Sequence, residues 1–369
     1  RQHFFLPRRY RDPFHTNAAS TESIVTYDLY DLLIQETRDP LGNRVTVGER
    51  NLDPLLPPVL LRQDYRVLQP ALIMDANRNR TEVAFDALGM VAGTAVMGKP
   101  APSPAEGDSL LGFKPDLTQA EIDQFLANPK GLMTAVLLGN ATTRIVYDLT
   151  AYWREPDPAT KSPPFAAALA RESHINEPVP PGGLKIQVSF TYSDGFGREI
   201  QKKAQAEPGP VPQRDGTGQI IAGTDGQPQM TPGDVSPRWV GSGWTIFNNK
   251  GKPVCQYEPF FTDTHRFEFD VRIGVSPVLF YDPVERVVAT LHPNHTWEKV
   301  VFDAWRQETW DVNDTVLIFD PQADADVGDF FSRLDPAEYL PTWFTLRTAP
   351  AYAAAFMARY PHPTDRMNE

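Results

Sequence analysis

The chain has 369 residues, and its net charge of −12 argues against binding to nucleic acid or to an anionic membrane surface. Its single cysteine excludes an internal disulfide framework and a cysteine metal cluster. The 36 prolines and 24 glycines are many for a helical protein, whereas a hydrophobic share of 41% excludes general disorder.

The N-terminal segment, residues 1–22, is basic and aromatic without a hydrophobic period, and we expect an extended lead-in there. It has neither a starting Met nor a signal-peptide pattern, and no apolar run in the chain reaches membrane-spanning length. We therefore expect a fragment or processed piece of a longer chain, without a signal peptide or membrane insertion of its own.

A short pattern recurs along the chain: an aromatic residue, Asp, two variable residues and Gly, followed by an alternating run. Asp favours the first position of a type I turn, and Gly accepts the positive φ needed where such a turn closes a hairpin with a bulge. The pattern predicts turns at Asp39 with Gly42, Asp86 with Gly89, Asp194 with Gly197, and Asn248 with Gly251. Degenerate copies begin at Asp28, Asp75, Asp282 and Asp303. Because Arg78 and Glu285 replace the glycine, looser turns are expected at those two copies.

The first half of the chain is expected to hold hairpins and one clear helix. Residues 23–98 carry the first hairpins, interrupted by prolines at 53–58. A capping box from Thr118 to Glu121 precedes the apolar stripe of Ile122, Phe125 and Leu126 and predicts a helix near 118–127. Residues 132–138 are compatible with helix or strand.

The second half is expected to alternate strands with loops. Residues 142–152 and 185–205 predict strands, with a Pro/Ala segment between them. Residues 206–237 are dense in Gly, Pro and Gln and predict a mobile loop inserted in the sheet. Residues 278–312 alternate in short runs separated by turns, which predicts a β-meander. Short helices are expected near 327–346, with Asp335 as a cap and Pro336 at the first helical position.

These turns and the segments around them resemble the YD-repeat (RHS-type) proteins. The resemblance is closest to the central to C-terminal part of the B component of bacterial insecticidal toxin complexes (Tc toxins), and it covers residues 27–343. The segments that carry it are DYRVLQP at 64–70, EVAFDALG at 82–89, ATTRIVYD at 141–148, YSDGFGRE at 192–199, RWVGSGW at 238–244 and HPNH at 292–295.

The resemblance implies a mainly β fold in which antiparallel repeat hairpins form part of a spiralling hollow β-shell, with short helices near 118–127 and 327–346. The implied regions are the lead-in at 1–22, a repeat β-sheet region at 23–320 that contains the mobile loop 206–237, and a helical, truncated C-terminal segment at 321–369. As part of a spiral sheet, the chain is expected to have unpaired strand edges near residues 27 and 312.

The resemblance also implies a secreted, structural, non-enzymatic role. The B component builds the shell with a YD-repeat C component, whose cytotoxic effector region is enclosed and later delivered through a pore-forming A component. The self-cleaving aspartates of the family belong to the C component, and no counterpart is recognised in this chain. No cofactor is implied.

Residues with chemical potential are few, and each has a structural explanation. His292 and His295 are spaced like metal ligands but lack a third ligand, so a turn role is favoured. Ser242 lies in a Gly-Ser-Gly bend that does not match a nucleophile elbow. Cys255 lies in an alternating run, which favours a small buried hydrophobe. An acidic loop is compatible with calcium or with a solvated lead-in to a helix: Asp320, Asp324, Asp326 and Asp329.

The tryptophans leave an alternative open: a surface β-protein that binds glycans or a receptor through exposed aromatic side chains. The candidates are Trp239, Trp244, Trp297, Trp305 and Trp310. Within alternating strands, such residues are more often core or cross-strand partners. An exposed row would favour binding, and an inward-facing row would favour the shell.

Overall fold

The computed structural model describes residues 3–51, 59–157, 161–178, 180–181, 183–216, 218, 220–223, 228–359 and 361–362. The chain is mainly β with antiparallel sheets and short helices, as predicted. It divides into two compact units: Arg1–Gly209 with Asp234–Trp239 and Asp263–His265, and Pro210–Gly233 with Val240–Thr262 and Arg266–Glu369. The predicted region boundaries at residues 22 and 320 stay predictions.

The first unit is built on one large antiparallel sheet with the order β1-β2-β3-β4-β9-β10-β11-β12-β13-β14-β15-β16. Its strands are β1 (Arg9–Tyr10), β2 (Ser23–Tyr27), β3 (Ile34–Arg38), β4 (Arg44–Val47), β9 (Leu72–Met74), β10 (Arg80–Phe85), β11 (Val91–Met97), β12 (Thr143–Asp148), β13 (Phe165–Arg171), β14 (Ile186–Ser193), β15 (Glu199–Ala206) and β16 (Arg238–Gly241). Two small hairpins lie between β4 and β9: β5 (Glu49–Arg50) with β6 (Val59–Leu60), and β7 (Gln63–Asp64) with β8 (Gln69–Pro70).

One face of this sheet is buried because alternate side chains of its central strands point to the same side. Val146 of β12, Ala167 of β13 and Phe190 of β14 lie opposite one another in register, and all three are buried. The Phe190 ring is the centre of an aromatic cluster formed with Phe125, Phe165, Tyr192, Trp239 and His265. Aromatic pairs at these distances add to the free energy gained by burial of the rings.

The helices of the first unit are α1 (Gln119–Ala127), α2 (Leu132–Leu138) and α3 (Ala151–Arg154). The predicted capping box at the start of α1 is confirmed. The Thr118 side chain accepts a hydrogen bond from the backbone N–H of Glu121, and the Glu121 side chain accepts one from the backbone N–H of Thr118. Ile122 and Phe125 are buried, and the Phe125 ring stacks on Phe190 at 5.7 Å. The segment 132–138, left open by the sequence, is helical.

The capping box should make the stability of α1 depend on pH. Hydrogen bonds from Lys114 and Thr118 lower the pKa of Glu121 from 4.5 to about 2. A lowered folded-state pKa means that the stabilisation is present above pH 4.5 and is lost as the pH falls towards 2. We expect the stability difference between the wild type and Glu121→Gln to be constant above pH 4.5 and to shrink below it, as followed by unfolding midpoints. A difference independent of pH would contradict this.

The second unit contains two further sheets and the C-terminal helices. Its strands are β17 (Thr245–Phe247), β18 (Pro253–Gln256), β19 (Phe260–Thr262), β20 (Val278–Tyr281), β21 (Val287–Leu291), β22 (Trp297–Phe302) and β23 (Gln307–Trp310). Its helices are α4 (Val312–Thr315), α5 (Gly328–Phe331), α6 (Trp343–Thr348) and α7 (Pro350–Arg359), with 3₁₀ turns at Pro321–Ala323 and Pro336–Glu338.

The strands β20 to β23 form the meander predicted for residues 278–312. The core of the second unit lies between this sheet and the helices that follow it. Four aromatic residues are buried together there: Phe280, Trp297, Phe331 and Tyr339. The Phe331 ring contacts each of the other three, with centroids 5.2 to 5.5 Å apart. Asp335 caps the 3₁₀ turn that begins at Pro336, as predicted.

The predicted loop 206–237 contains isolated β-bridges. Gly209 pairs with Val235, Pro212 with Met230, Arg214 with Ile220, and Ala222 with Pro228. Val211 within it is buried. The described part of the loop is therefore folded back on itself, and its mobility stays a prediction.

Three sequence expectations are wrong in detail. The Pro/Ala segment contains β13, which lies mid-sheet between β12 and β14. The strand predicted for 142–152 ends at Asp148, and Tyr152 lies in α3. The outermost strand beside the edge expected near residue 27 is β1 and not β2, because Arg9 and Tyr10 pair with Ile24 and Ser23. The outer strand near residue 312 is β23, as expected.

Candidate functional site

The repeated turns share one hydrogen-bond pattern. In the turn at Asp86, the Oδ1 atom accepts from the backbone N–H of Leu88 at 2.9 Å and of Met90 at 2.8 Å. The same two bonds occur at Asp39, Asp194, Asn248 and Asp282. The turn at Asp303 is one residue shorter, with bonds from Trp305 and Arg306. Each side-chain oxygen is thus a structural acceptor that preorganises a hairpin.

The closing glycine of each Asp-x-x-Gly or Asn-x-x-Gly turn has a left-handed backbone. The φ angles are +88° at Gly42, +83° at Gly89, +77° at Gly197 and +81° at Gly251. This geometry agrees with the turn chemistry expected from the sequence; a functional role of these residues stays a prediction.

The turns without glycine are not looser, contrary to our expectation. Arg78 and Glu285 take φ angles of +72° and +70°. The backbone N–H of Arg78 donates to the backbone carbonyl of Asp75 at 3.1 Å, and that of Glu285 donates to the carbonyl of Asp282 at 3.0 Å. Gly89 makes the same bond to the carbonyl of Asp86. His295 adopts the same conformation, with φ of +64°. The Asp or His at the first position and the strand pairing therefore impose the left-handed residue even where a side chain opposes it.

Substitutions at two turn glycines should separate backbone strain from steric contact. A Cβ at Gly89 would lie 2.6 Å from Val67 Cγ1, whereas one at Gly197 would meet nothing within 4 Å. We expect Gly197→Ala to cost about 1 kcal/mol from the left-handed φ alone. Gly89→Ala should cost more, and Val67→Ala should recover part of the excess. Equal costs for the two glycine variants in urea unfolding would contradict this.

The turns occupy two ends of the sheet in the first unit. Because neighbouring strands are antiparallel, β2, β10, β12 and β14 finish at one end, called here the Asp86 end. It carries the turns that follow Asp28, Asp86, Asp148 and Asp194. The turns that follow Asp39 and Asp75 lie at the opposite end, called here the Asp39 end.

The two histidines considered as metal ligands are turn residues. The N–H of His295 bonds to the carbonyl of His292 at 2.9 Å, which closes the turn. His295 Nδ1 lies 2.8 Å from the carbonyl oxygen of Pro341, so the ring contacts the C-terminal segment. In the part of the chain that the structure describes, no group of three or more His, Cys, Asp or Glu side chains is arranged to hold a metal ion.

The two candidate nucleophiles lie in the second unit, Cys255 in a strand and Ser242 in the segment between β16 and β17. Cys255 belongs to β18 and is half-buried, and burial raises the pKa of its thiol. A raised pKa leaves less thiolate, the reactive form, at neutral pH. Ser242 is half-buried in the bend between Gly241 and Gly243. The direction of the Cys255 pKa shift is the opposite of the one that activates a thiol nucleophile.

The acidic loop is organised around a buried lysine. Lys299 of β22 is buried, and its Nζ lies 2.7 Å from Asp324 Oδ2 and 2.6 Å from Asp326 Oδ2. Asp320 caps the 3₁₀ turn at Pro321, and Asp329 lies in the first turn of α5. The positive charge beside these carboxylates is therefore the Lys299 ammonium group, in the place where calcium was the alternative from the sequence. Sequence spacing did not indicate that Lys299 would pair with this loop.

A second buried charge network was missed by the sequence analysis. Asp108 accepts hydrogen bonds from Thr142 and from the backbone of Ile175, and His174 Nδ1 lies 2.7 Å from it. Arg171 Nη1 is 3.6 Å away, with both side chains almost fully buried. Burial acts to raise the pKa of Asp108, but these hydrogen bonds and Arg171 outweigh it and hold the pKa below its ordinary value.

A cleft of about 300 Å³ is lined by Arg144, Lys114 and Glu121. Arg144 is buried, and burial lowers its pKa to about 10. Its guanidinium donates to the carbonyls of Leu137 and Lys114 and stacks on the Phe113 ring at 4.4 Å. These contacts attach the segment before α1 to the sheet, which explains the buried charge by a structural role.

The tryptophans are split between core and surface. Trp239 and Trp297 are buried, Trp244 and Trp310 are half-buried, and Trp305 is 96% exposed. Trp153, not considered from the sequence, is 83% exposed. No described helix is long and apolar enough to cross a membrane.

Comparison with solved structures identifies Tc toxin chains with the same fold. A TcdB2–TccC3 structure has a TM-score of 0.60 at 22% identity and covers 87% of this chain and 14% of that chain. TcdB2–TccC3 without its hypervariable C-terminal region has a TM-score of 0.60 at 18% identity, covering 92% of this chain and 16% of that one. A Tc holotoxin pore from Photorhabdus luminescens has a TM-score of 0.57 at 19% identity, covering 83% and 15%.

No protein-family model and no curated protein matches the chain. At these identities the structural likeness shows a shared fold, and the prediction of a mainly β, Tc toxin-related fold is confirmed. The chain spans 14 to 16% of the length of these toxin chains.

Proposed function

We propose that this chain is a non-enzymatic structural segment of a Tc toxin B component of the YD-repeat type. It builds, with a YD-repeat C component, a hollow shell that encloses a cytotoxic effector before delivery through the pore-forming A component. The shell acts outside the producing cell as part of the toxin complex. The observation that carries the proposal is the fold shared with TcdB2–TccC3 over 87% of this chain.

The open face of the first sheet supports a wall role. Side chains opposite the buried face form rows in register, such as Ala168 beside Ser189 and Ala166 beside Thr191. Ala168 is exposed, and Ser189 and Thr191 are half-buried. The side chains of β13 and β14 in these rows are small and present little apolar area to an extended polypeptide, whereas the half-buried Ile145 and Tyr147 of β12 add larger apolar side chains to the same rows. The part of the face formed by β13 and β14 suits a wall that must release its contents.

The hydrogen bonding of the turn aspartates and of the acidic loop supports a non-enzymatic role. The turn aspartates accept from backbone N–H groups, and Asp324 and Asp326 of the acidic loop accept from Lys299. Groups held in this way lack the convergence on a substrate pocket that catalysis requires.

Co-expression with the C component tests the proposal. We expect the polypeptide that carries this chain to form a discrete complex in size-exclusion chromatography, in which the effector region resists added protease. The C component alone is the control. His292→Ala, Ser242→Ala and Cys255→Ala should leave the activity of the assembled toxin intact. A chain that stays monomeric beside an unprotected effector region would refute the shell role.

A binding module remains the second candidate because Trp305 is 96% exposed at the tip of the β22–β23 turn. Exposed aromatic rings are common contacts for sugars and receptors. Trp305→Ala would then abolish glycan or cell-surface binding without changing assembly. The shell role predicts that this variant binds surfaces as the wild type does.

A further inference from the structure

A buried amine and a buried carboxylate face each other in the second unit. The side chain of Lys299, on β22, is 4% exposed, and that of Asp324 is 5% exposed. Lys299 Nζ donates to Asp324 Oδ2 at 2.7 Å and to Asp326 Oδ2 at 2.6 Å, and it lies 4.5 Å from the centre of the Trp310 ring. An amine and a carboxyl group held in contact, with solvent largely excluded, are the two reactants of an amide bond.

The two oxygens of Asp324 have different surroundings. Its Oδ1 accepts from the backbone N–H of Asp326 at 3.0 Å and of Val327 at 3.1 Å, whereas its Oδ2 faces Lys299. When an amine attacks a carboxyl carbon, negative charge develops on one oxygen and the other oxygen leaves. Two fixed backbone donors stabilise such a developing charge. Oδ1 is therefore placed to hold the charge, and Oδ2 is placed to leave beside a proton source.

Asp326 is placed to carry the proton that this reaction must move. Burial acts to lower the pKa of Lys299, but the hydrogen bonds to Asp324 and Asp326 outweigh it and raise the pKa. The resting amine is thus an ammonium group, which must lose a proton before it can attack. Asp326 Oδ2 bonds to the same Nζ as Asp324 Oδ2, so it can take this proton and return it to the leaving oxygen. Its side chain is 44% exposed, which gives the released water a path to solvent.

Confinement favours the amide over the ion pair. Condensation of free amines and carboxylates is unfavourable in water, but reactants fixed in the productive geometry have effective concentrations of about 10⁵–10⁸ M. The ion pair also keeps two charges away from water, which is costly even when the charges are paired. An amide removes both charges and keeps the two side chains joined.

We propose that Lys299 and Asp324 condense to an intramolecular isopeptide bond, with Asp326 as the proton carrier. A bond forms between Lys299 Nζ and Asp324 Cγ, and the bond between Cγ and Oδ2 breaks. The ammonium group loses two protons, which leave with Oδ2 as one water molecule, and Asp326 returns to its original protonation state. The step needs no oxidant, cofactor or external substrate, and it does not depend on the proposed shell role.

The bond would tie β22 to the loop before α5 and close residues 299–324, which include β23, into a covalent ring. A cross-link of this kind stabilises a fold mainly by restricting the unfolded chain. The second unit should therefore resist thermal unfolding better with the bond than without it.

Intact mass spectrometry of the whole denatured chain tests the proposal. The wild type should be lighter than its sequence by one water molecule, and a protease digest should contain a branched peptide that joins Lys299 to Asp324. Asp326→Asn should slow the condensation at least about 100-fold, because an amide cannot carry the proton, so newly made protein should have its full sequence mass. Asp329→Asn is the matched control, since Asp329 is exposed in the first turn of α5, and it should lose water as the wild type does.

Lys299→Arg keeps the positive charge but replaces the amine with a guanidinium group that does not attack carboxyl groups. This variant should have its full sequence mass and a lower unfolding temperature. A wild type of full sequence mass, a loss of water that persists in Lys299→Arg, or a branched peptide at another pair would overturn the inference. An unchanged rate of water loss in Asp326→Asn would overturn the role of Asp326. Assembly with the C component is measured separately, so failure here is distinguishable from failure of the shell role.

Discussion

Replacing Gly243 with alanine is expected to cost about 3 kcal/mol or more and to disrupt the β17–β18 region. A Cβ at this position would lie 1.7 Å from the carbonyl oxygen of Tyr257 and 2.3 Å from its carbonyl carbon. The chain cannot easily move apart there, because the N–H of Tyr257 bonds to the carbonyl of Trp244 at 2.9 Å. The bend at 241–243 is therefore a close approach of two backbones, for which glycine is required.

Hydrogen exchange at Tyr257 and the urea midpoint of the second unit measure this effect. Gly195→Ala is the control, because a Cβ there would meet nothing within 4 Å, and its φ is not left-handed. It should change stability by less than about 0.5 kcal/mol. Wild-type exchange at Tyr257 in Gly243→Ala would show that the contact does not constrain the fold.

Asp108→Ala is expected to destabilise the first unit by about 3–5 kcal/mol, because it leaves Arg171 buried without its carboxylate partner. The hydrogen bonds to Thr142 and to the backbone of Ile175 are lost as well. These contacts join the segment after β11 to the end of β13. Amide exchange in β12 to β14 should therefore quicken, and the unfolding midpoint should fall.

The exposed carboxylate of Asp123 provides the control for this measurement. Its ion pair with Arg154 spans 3.5 Å with side chains about half exposed, so Asp123→Ala should cost less than about 1 kcal/mol. The contribution of Asp108 to the free energy of unfolding should also depend on pH. Because the folded-state pKa of Asp108 is below 3.8, its contribution is present above that pH and is lost as the pH falls further. Equal effects of the two substitutions would refute the role assigned to the buried pair.

The features that the sequence predicts well are local. The capping box of α1 and the Asp-x-x-Gly turns depend on residues within five positions of one another, so their spacing is enough to recognise them. The meander at 278–312 shows clear alternation of β-branched and aromatic residues. Strand β13 shows none of this, since five of the seven residues of FAAALAR are alanine or leucine, and alanine has a low β propensity.

Features that depend on tertiary contacts were not predictable. Asp108 and Arg171 are far apart in the sequence and meet because Asp108, beside β11, and Arg171, at the end of β13, both bond to Thr142 just before β12. Lys299 and Asp324 are joined in the same way across the second unit. At Arg78 and Glu285 the local sequence gave the wrong expectation. Both residues disfavour a left-handed backbone, but the aspartate that begins the turn and the pairing of the flanking strands impose it.

The order of the strands has a consequence for folding kinetics. From β10 to β15, each strand pairs with the one before it in the chain. Where four-residue turns join the strands, as between β9 and β10, β10 and β11, and β14 and β15, pairing requires the closure of only a short loop, which lowers the entropic barrier. Hairpins form in microseconds, faster than ribosomes add residues. The sheet can therefore lengthen hairpin by hairpin during synthesis, and an added hairpin would not slow those already formed.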